Sequence, residues 1–318
     1  MRVVLSGAAG FVGCHLAKRY LLDGHQVVGV DNYRTGSRDN IAWLSASKAF
    51  EFLEHDITRP LNVPGPVDLV ADLACPASPV DFAPLSVEIL RVCSEGVLNM
   101  LELARAKGAV FLQTSTSEVY GDPEVNPQPE TYWGHVNPIG ARAVYDEGKR
   151  YAEALITAYH RRHKLPVRIA RIFNTYGPRM RLDDGRVVTN FIRQALAGEP
   201  LTVYGDGSQT RSFCYVDDQV AGLIRLAACD YCGPVNIGNP DEIPVRQLAE
   251  EIVKLTGSAS KIVEKPLPSD DPKLRQPDIT LAKKLLGWQP AVSRTEGLKH
   301  TIAFCREVLG PQSGRGKK

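Results

Sequence analysis

The sequence predicts an α/β chain: a doubly wound parallel sheet with a smaller, interleaved C-terminal lobe. Three observations carry that prediction. Short apolar runs at residues 3–5, 27–30, 67–73 and 110–112 each precede a helix-like stretch, the alternation that winds helices around a parallel sheet. A glycine-rich turn, Gly7-Ala8-Ala9-Gly10-Phe11-Val12-Gly13, follows the first run directly. The chain has 318 residues, 43% hydrophobic and 23% charged. That is about twice the usual domain length, and the composition excludes a collagenous, disordered or coiled-coil protein.

The later elements follow in order. Between residues 84 and 107 the apolar side chains Ile89, Leu90, Val92, Cys93, Val97, Leu98 and Leu101 fall on more than one helical face. One face is expected to pack on the sheet and another on a second copy of the chain, giving a homodimer together with a helix over 145–162. Pro166 opens a strand over 167–173, since a proline at a strand's first position removes no needed donor. The pattern loosens at Asn174-Thr175-Tyr176-Gly177-Pro178. A helix over 187–197, a strand over 201–204, a helix over 216–228 and a strand over 235–237 follow. The sheet domain is therefore placed at 1–173 and 209–238, and the lobe at 174–208 and 239–310. Residues 311–318, polar and basic, read as a frayed tail.

Lys plus Arg number 38 against 36 Asp plus Glu, a net charge of +2. Such a balance gives no field that would hold nucleic acid or an anionic membrane, so the expected partner is a small molecule. Met1 leads at once into Val3-Val4-Leu5, and no apolar run reaches membrane-spanning length; a soluble, cytoplasmic chain is expected. Seven cysteines, an odd number and scattered, argue against a disulfide framework. Cys229 and Cys232 read as small residues where a helix ends, and no metal site is expected.

The glycines of the first turn permit a tight bend and close approach of a pyrophosphate to backbone amides. Asp31 ends the second strand about twenty residues later, where a carboxylate accepts ribose hydroxyls and repels a 2′-phosphate. NAD is therefore expected over NADP, with Arg34 and Arg38 close enough to leave some room for the phosphorylated form. Tyr145 and Lys149 form Y-x-x-x-K on one helical face. Thr114-Ser115-Thr116-Ser117-Glu118-Val119-Tyr120-Gly121 follows the 110–112 strand, where an open α/β sheet places its ligands.

These strings resemble the extended short-chain dehydrogenase/reductases, a Rossmann-type family, and within it the UDP-glucuronate decarboxylases, or UDP-xylose synthases. The resemblance runs along nearly the whole chain. It rests on residues 7–13, 115–124, Tyr132-Trp133-Gly134-His135-Val136-Asn137-Pro138, Tyr145-Asp146-Glu147-Gly148-Lys149-Arg150, 171–180, Gly185-Arg186-Val187-Val188, Gly207-Ser208-Gln209-Thr210-Arg211 and Arg275-Gln276-Pro277-Asp278. It implies NAD as cofactor and UDP-glucuronate as substrate. Gly7, Gly10, Phe11, Val12 and Gly13 then match the pyrophosphate turn, and Asp31, Asn32, Thr35 and Gly36 the adenosine-ribose segment. Asp56 and Ile57 match the pair flanking adenine, and Leu73 a residue lining the cofactor.

The resemblance also implies a redox-neutral cycle: oxidation at sugar carbon 4, loss of carbon dioxide from carbon 5 through an enolate, and reduction to UDP-xylose. Tyr145 is the expected base, its pKa drawn below the usual value of about 10 by Lys149 and by a cationic nicotinamide. Thr116 is the expected donor to the carbon-4 oxygen. Related 4,6-dehydratases carry an Asp-Glu pair where this chain has Ser117-Glu118, so dehydration lacks its acid; related 4-epimerases lack the glutamate. Glu118 is thus expected to handle the carboxylate-bearing carbon. Arg275 is expected near the sugar carboxylate, Arg211 at the diphosphate, Asn174, Arg179 and Arg186 at the diphosphate and uridine, and Tyr204 beside uracil. A tight Arg275 ion pair would stabilise the ground state and oppose decarboxylation, which leaves its role open between positioning and proton transfer.

The chain departs from the pattern at Asp72-Leu73-Ala74-Cys75-Pro76-Ala77-Ser78-Pro79, where relatives begin with histidine, and at Val80-Asp81-Phe82. That segment is expected to line the cofactor and substrate, and so bears on strict sugar specificity. Two enzymatic alternatives stay open, a UDP-sugar 4-epimerase and a decarboxylase that releases the 4-keto pentose. A non-catalytic NAD-binding module is a third, against which the intact Tyr145, Lys149, Thr116 and Glu118 argue.

Overall fold

The computed structural model describes residues 1–266 and 274–310; the expected tail at 311–318 lies outside them. Seven strands form one sheet: β1 (Arg2–Ser6), β2 (Gln26–Asp31), β3 (Phe50–Glu54), β4 (Leu69–Asp72), β5 (Val110–Thr116), β6 (Val167–Ile172) and β7 (Pro234–Ile237). Every pairing in it is parallel, in the order β7-β6-β5-β4-β1-β2-β3. Chain order reverses between β1 and β4, and at such a switch point the strand ends leave a crevice for a ligand.

Both faces of the sheet are covered, and the strand period of two divides the side chains between them. Val3 and Leu5 of β1 join one core with Leu69, Ala71 and Leu112, whereas Val4 joins the other with Val70 and Phe111. The helices Phe11–Leu22 and Val216–Ala227 lie on the first face. The helices Val97–Lys107 and Ala143–His163 lie on the second.

The lobe leaves the sheet after β6. It holds the helices Val187–Ala197, Val245–Thr256 and Arg294–Leu309, a parallel pair Leu201–Tyr204 with Ile262–Lys265, and an antiparallel pair Thr210–Ser212 with Glu242–Pro244. Its apolar residues Phe191, Leu201 and Leu248 belong to the same core as Val3 and Leu5. Trp288 Nε1 donates to the Asp218 carbonyl at 3.1 Å, tying the lobe's end back to the sheet-covering helix. Among the described residues no helix is long and apolar enough to cross a membrane.

Three elements differ from expectation. Strand β3 was not anticipated: Glu51 and Glu54 face solvent on the sheet's edge, so its apolar content is too thin to stand out. The continuous helix expected over 84–107 is interrupted by a π-helical turn, Val92–Gly96, between Ser86–Arg91 and Val97–Lys107. Thr210–Ser212, placed with the sheet domain by the boundary at 209, pairs instead with Glu242–Pro244 of the lobe.

One buried polar knot joins two central strands to the long helix over Ala143–His163. Glu153 on that helix takes Arg171 of β6 in a forked pair, Nε to Oε1 at 3.0 Å and Nη2 to Oε2 at 2.7 Å, and accepts from Ser115 Oγ of β5 at 2.6 Å. Arg171 also donates to the Tyr120 hydroxyl at 3.0 Å and the Glu130 carbonyl at 3.1 Å. Removing one partner leaves a charge uncompensated in a poorly solvated place. Glu153→Ala is therefore expected to lower unfolding free energy in urea by about 3–5 kcal/mol; a loss under about 1 kcal/mol would contradict this role.

Candidate active site

The C-terminal ends of β1, β4, β5 and β6 open into one cleft of about 530 Å³ running from the glycine turn to the lobe. At one end Gly7 has φ +72°, and a Cβ there would lie 2.8 Å from the Leu73 carbonyl carbon; one on Gly13 would lie 2.0 Å from the Gly7 oxygen. Only glycines allow this close turn, which leaves the start of the Phe11–Leu22 helix bare toward the cleft. Gly10, Phe11, Val12, Thr35 and Leu73 also line it.

Asp31 ends β2 with its carboxylate anchored, Oδ2 accepting from the Ala9 amide at 2.9 Å and Oδ1 from Tyr33 at 2.8 Å. Each oxygen keeps a further lone pair for a hydroxyl donor. Gly36 is pressed on the same group, since a Cβ would come within 3.0 Å of Asp31 Oδ1. Asn32 and Asp56 are hydrogen-bonded to each other at the neighbouring strand ends, and the Ile57 carbonyl accepts from Asn99 Nδ2 at 2.8 Å. Asp31, Asn32, Gly36, Asp56 and Ile57 form this rim and are not on the cleft wall itself. Arg34 pairs with Glu88 at 3.0 Å, and Arg38 lies 4.2 Å over the Tyr33 ring and 3.7 Å from Glu54. Both arginines are thus engaged by carboxylates or a ring, which fits a dinucleotide without a 2′-phosphate.

Midway along the cleft, Tyr145 and Lys149 project from the Ala143–His163 helix toward the end of β5. Lys149 Nζ donates to the Thr114 carbonyl at 2.9 Å and sits 6.0 Å from the Tyr145 ring centre. Burial opposes its charge, yet Cys75, Cys93, Tyr145 and Asp72 together push its pKa up, so it stays an ammonium. The Thr116 hydroxyl is hydrogen-bonded to Tyr145 and also accepts from the Glu118 amide at 3.2 Å. Lys149 lowers the Tyr145 pKa as expected, while in the chain alone burial outweighs that pull and pushes the phenol up to about 12.

At the far end lies a cluster of charges. Glu118 Oε2 accepts from Arg142 Nη2 at 2.5 Å and from Arg275 Nη2 at 3.3 Å. Arg275, 1% exposed, also donates to the Ser117 carbonyl at 2.7 Å, and Ser117 Oγ lies 3.5 Å from Glu118 Oε1. Burial would raise the Glu118 pKa, but Arg275 and Arg142 overcome it and hold the carboxyl at about 2. The carboxylate therefore holds two guanidiniums at this end of the cleft. Asp146, whose Oδ1 is buried without a hydrogen-bond partner, is pushed up to about 7 by burial and by the Glu118 charge.

Asn174, Arg186, Tyr204 and Arg211 line the lobe side of the cleft. Arg186 donates to the Ala77 carbonyl at 2.5 Å, and Arg211, on the Thr210–Ser212 strand, to the Thr210 carbonyl at 2.8 Å. Arg179 also lines the cleft, toward the glycine turn, where it stacks 4.0 Å over Trp43 and reaches Asn40 Oδ1 at 3.3 Å.

Two residues were not anticipated, and a third falls in the segment expected to line the cofactor and substrate. Arg142 sits at the N-cap of the helix that carries Tyr145 and Asp146 follows Tyr145 on it, where polar neighbours are unremarkable in sequence. Phe82, from the departing segment, stacks on Tyr145 with ring centres 5.0 Å apart. Asp81 of that segment pairs with Arg181 at 3.0 Å, and Asp72 is wholly buried with Ser6 Oγ donating to its Oδ1. No cluster of metal-binding side chains occurs among the described residues.

The Glu118 cluster makes a pH prediction. Its pKa is depressed in the fold, so its contribution is full above the unfolded value of 4.5 and is lost as pH falls toward about 2. Glu118→Gln should cost about 3 kcal/mol at pH 7, and the gap from wild type should close across that acid window. A gap that stays constant from neutral to acid pH would refute the ion-pair assignment.

Comparison with known proteins follows the same lines. A sequence profile of the NAD dependent epimerase/dehydratase family matches residues 3–238. UDP-glucuronic acid decarboxylase 5 of Arabidopsis thaliana is 53% identical over 94% of this chain and 87% of its own. UDP-glucuronic acid decarboxylase 1 of Xenopus tropicalis is 51% identical over 98% of this chain and 74% of its own. Among solved structures, Thermotoga maritima UDP-glucose 4-epimerase with UDP-glucose superposes with a TM-score of 0.88 at 29% identity, over 98% of this chain and all of that one. Bacillus cereus UDP-glucuronic acid 4-epimerase with UDP-glucuronic acid and NAD gives 0.86 at 27% identity, over 97% of this chain and 100% of that one. The chain belongs to the NAD-dependent epimerase/dehydratase family, the extended short-chain dehydrogenase/reductases, in which these UDP-glucuronic acid decarboxylases are its relatives at half or more identity.

Proposed function

We propose that the chain is a UDP-glucuronate decarboxylase that forms UDP-xylose with NAD as a catalytic cofactor. The observation that carries this reading is a single cleft in which Tyr145, Lys149 and Thr116 stand beside the buried Glu118, Arg142 and Arg275 cluster. The first set suits oxidation of a sugar hydroxyl, and the second suits a sugar that carries a carboxylate.

The glycine turn and Asp31 would hold NAD, which when bound supplies a reversible two-electron acceptor and a positive charge. Tyr145 accepts the proton of the carbon-4 hydroxyl, while Lys149 holds charge opposite the forming phenolate. Thr116 shares the hydrogen bond and orients the phenol. With carbon 4 a ketone, the carboxylate on carbon 5 is β to it, and carbon dioxide leaves as electrons move into the enolate. Arg275 and Arg142 orient that carboxylate. Glu118 already occupies both guanidiniums, so their hold on the substrate is partly neutralised and the ground state is not over-stabilised. Arg186 and Arg211 supply cationic forks for the diphosphate, with Tyr204 at the rim for the base.

We also propose that the enzyme works as a cytoplasmic homodimer, without nucleic acid or membrane. Val87, Leu90 and Leu98 on the broken helix and Tyr151 on the Ala143–His163 helix expose apolar surface, 63%, 43%, 38% and 53% respectively. All seven cysteines are free, which suits a reducing compartment. Sedimentation at the mass of one chain would refute the dimer, and recovery outside the cytosolic fraction the location.

The holoenzyme incubated with UDP-glucuronate should release carbon dioxide and a UDP-pentose. A product of unchanged mass would instead indicate a 4-epimerase, and a pentose two hydrogens lighter, with equal NADH, a decarboxylase that stops at the ketone. Tyr145→Phe should lower kcat by about 10²–10⁴ while UDP-sugar binding persists; turnover close to wild type would remove Tyr145 as base.

A further inference from the structure

Two cysteines to which the proposed reaction assigns no bond-making step meet beside Tyr145. Cys75 follows β4 and lies on the cleft wall, and its Sγ is 3.8 Å from that of Cys93. Cys93 is 1% exposed and stands on the π-helical turn Val92–Gly96. A π turn accommodates an extra residue and re-aims the side chains it carries, and such turns recur at functional sites. Here the re-aimed side chain is a thiol. Gly148, next to Lys149, makes room for it: a Cβ on Gly148 would lie 3.2 Å from Cys93 Sγ. Cys93 and Tyr145 share one small apolar cluster with Phe82 and Ile89, against which Cys75 packs.

We propose that Cys75 and Cys93 are an oxidation site: a peroxide entering the cleft joins them in a reversible disulfide that lowers turnover. The hydrogen bond from Cys75, with the Lys149 charge, holds the Cys93 thiol below its usual pKa despite burial, which favours its reactive thiolate form. That thiolate attacks one peroxide oxygen, the O–O bond breaks, and the departing hydroxide takes up a proton as water, leaving a sulfenic acid. The second sulfur attacks the first and expels another water. Two thiols are oxidised to one disulfide, and one peroxide is reduced to two waters. Closing the sulfurs from 3.8 Å to a bond of about 2 Å draws the cleft-wall loop and the π turn together. Because the same cluster seats Tyr145, the phenol shifts relative to Thr116 and Lys149.

The loss of turnover rests on the decarboxylase reading, whereas formation of the bond does not. Holoenzyme exposed to hydrogen peroxide is mapped as unreduced peptides, and its release of carbon dioxide from UDP-glucuronate is followed in parallel. A linked Cys75–Cys93 peptide, loss of most of the turnover, and recovery of both with dithiothreitol are expected. Cys93→Ser should form no linked peptide and keep, under peroxide, the turnover it shows without it. The proposal is overturned if Cys75 and Cys93 are recovered unlinked while other cysteines oxidise. It is overturned equally if the link forms and turnover stays unchanged, or if Cys93→Ser is inactivated like the wild type.

Discussion

The centre of this structure depends on one ammonium kept charged where water does not reach. Lys149 is 3% exposed and donates a hydrogen bond to the Thr114 carbonyl at the end of β5. An isolated buried charge is costly and would shed its proton. Asp72 beneath it, Tyr145 on the same helical face and the sulfurs of Cys75 and Cys93 reverse that tendency. The helix that carries Lys149 must then be held in register with β5 and β6, and the Glu153 fork to Arg171 and Ser115 does this from a turn further along.

A second balance operates at the lobe end of the cleft. Recognition of a sugar acid calls for cations, but a firm ion pair would oppose loss of the carboxylate as carbon dioxide. Glu118 resolves the conflict by lying between Arg142 and Arg275, with its own carboxyl held near pKa 2 by them. The guanidiniums remain fixed in place and partly neutralised. Dehydration would need an acid beside this glutamate, and Ser117, buried with its hydroxyl toward Glu118, is not one.

Much of this was legible in sequence because it obeys local rules. The glycine turn after an apolar run, the carboxylate closing the second strand and the tyrosine-lysine pair at helical spacing each state a geometric requirement within a few residues. What escaped was non-local. Phe82 stacks on Tyr145 across more than sixty positions, and Arg142 matters only because β5 brings Glu118 to it. The interruption of the 84–107 helix carries no proline or glycine pair to announce it; a π turn is settled by packing against the neighbouring helix. Arg179 has the sequence surroundings of a ligand-binding arginine, yet its stacking on Trp43 draws it toward the glycine turn. Burial, invisible in a spacing, works against the lowering that Lys149 gives the Tyr145 phenol.

The central claim is that Tyr145 and Lys149 serve to break and remake the bond between sugar carbon 4 and its hydrogen, so that decarboxylation waits on that event. A single turnover with UDP-glucuronate deuterated at carbon 4 tests it most directly. Slower release of carbon dioxide than from unlabelled substrate, with the label found on carbon 4 of the UDP-pentose, is the predicted result. Release at an unchanged rate, with that label lost to solvent, would contradict the account.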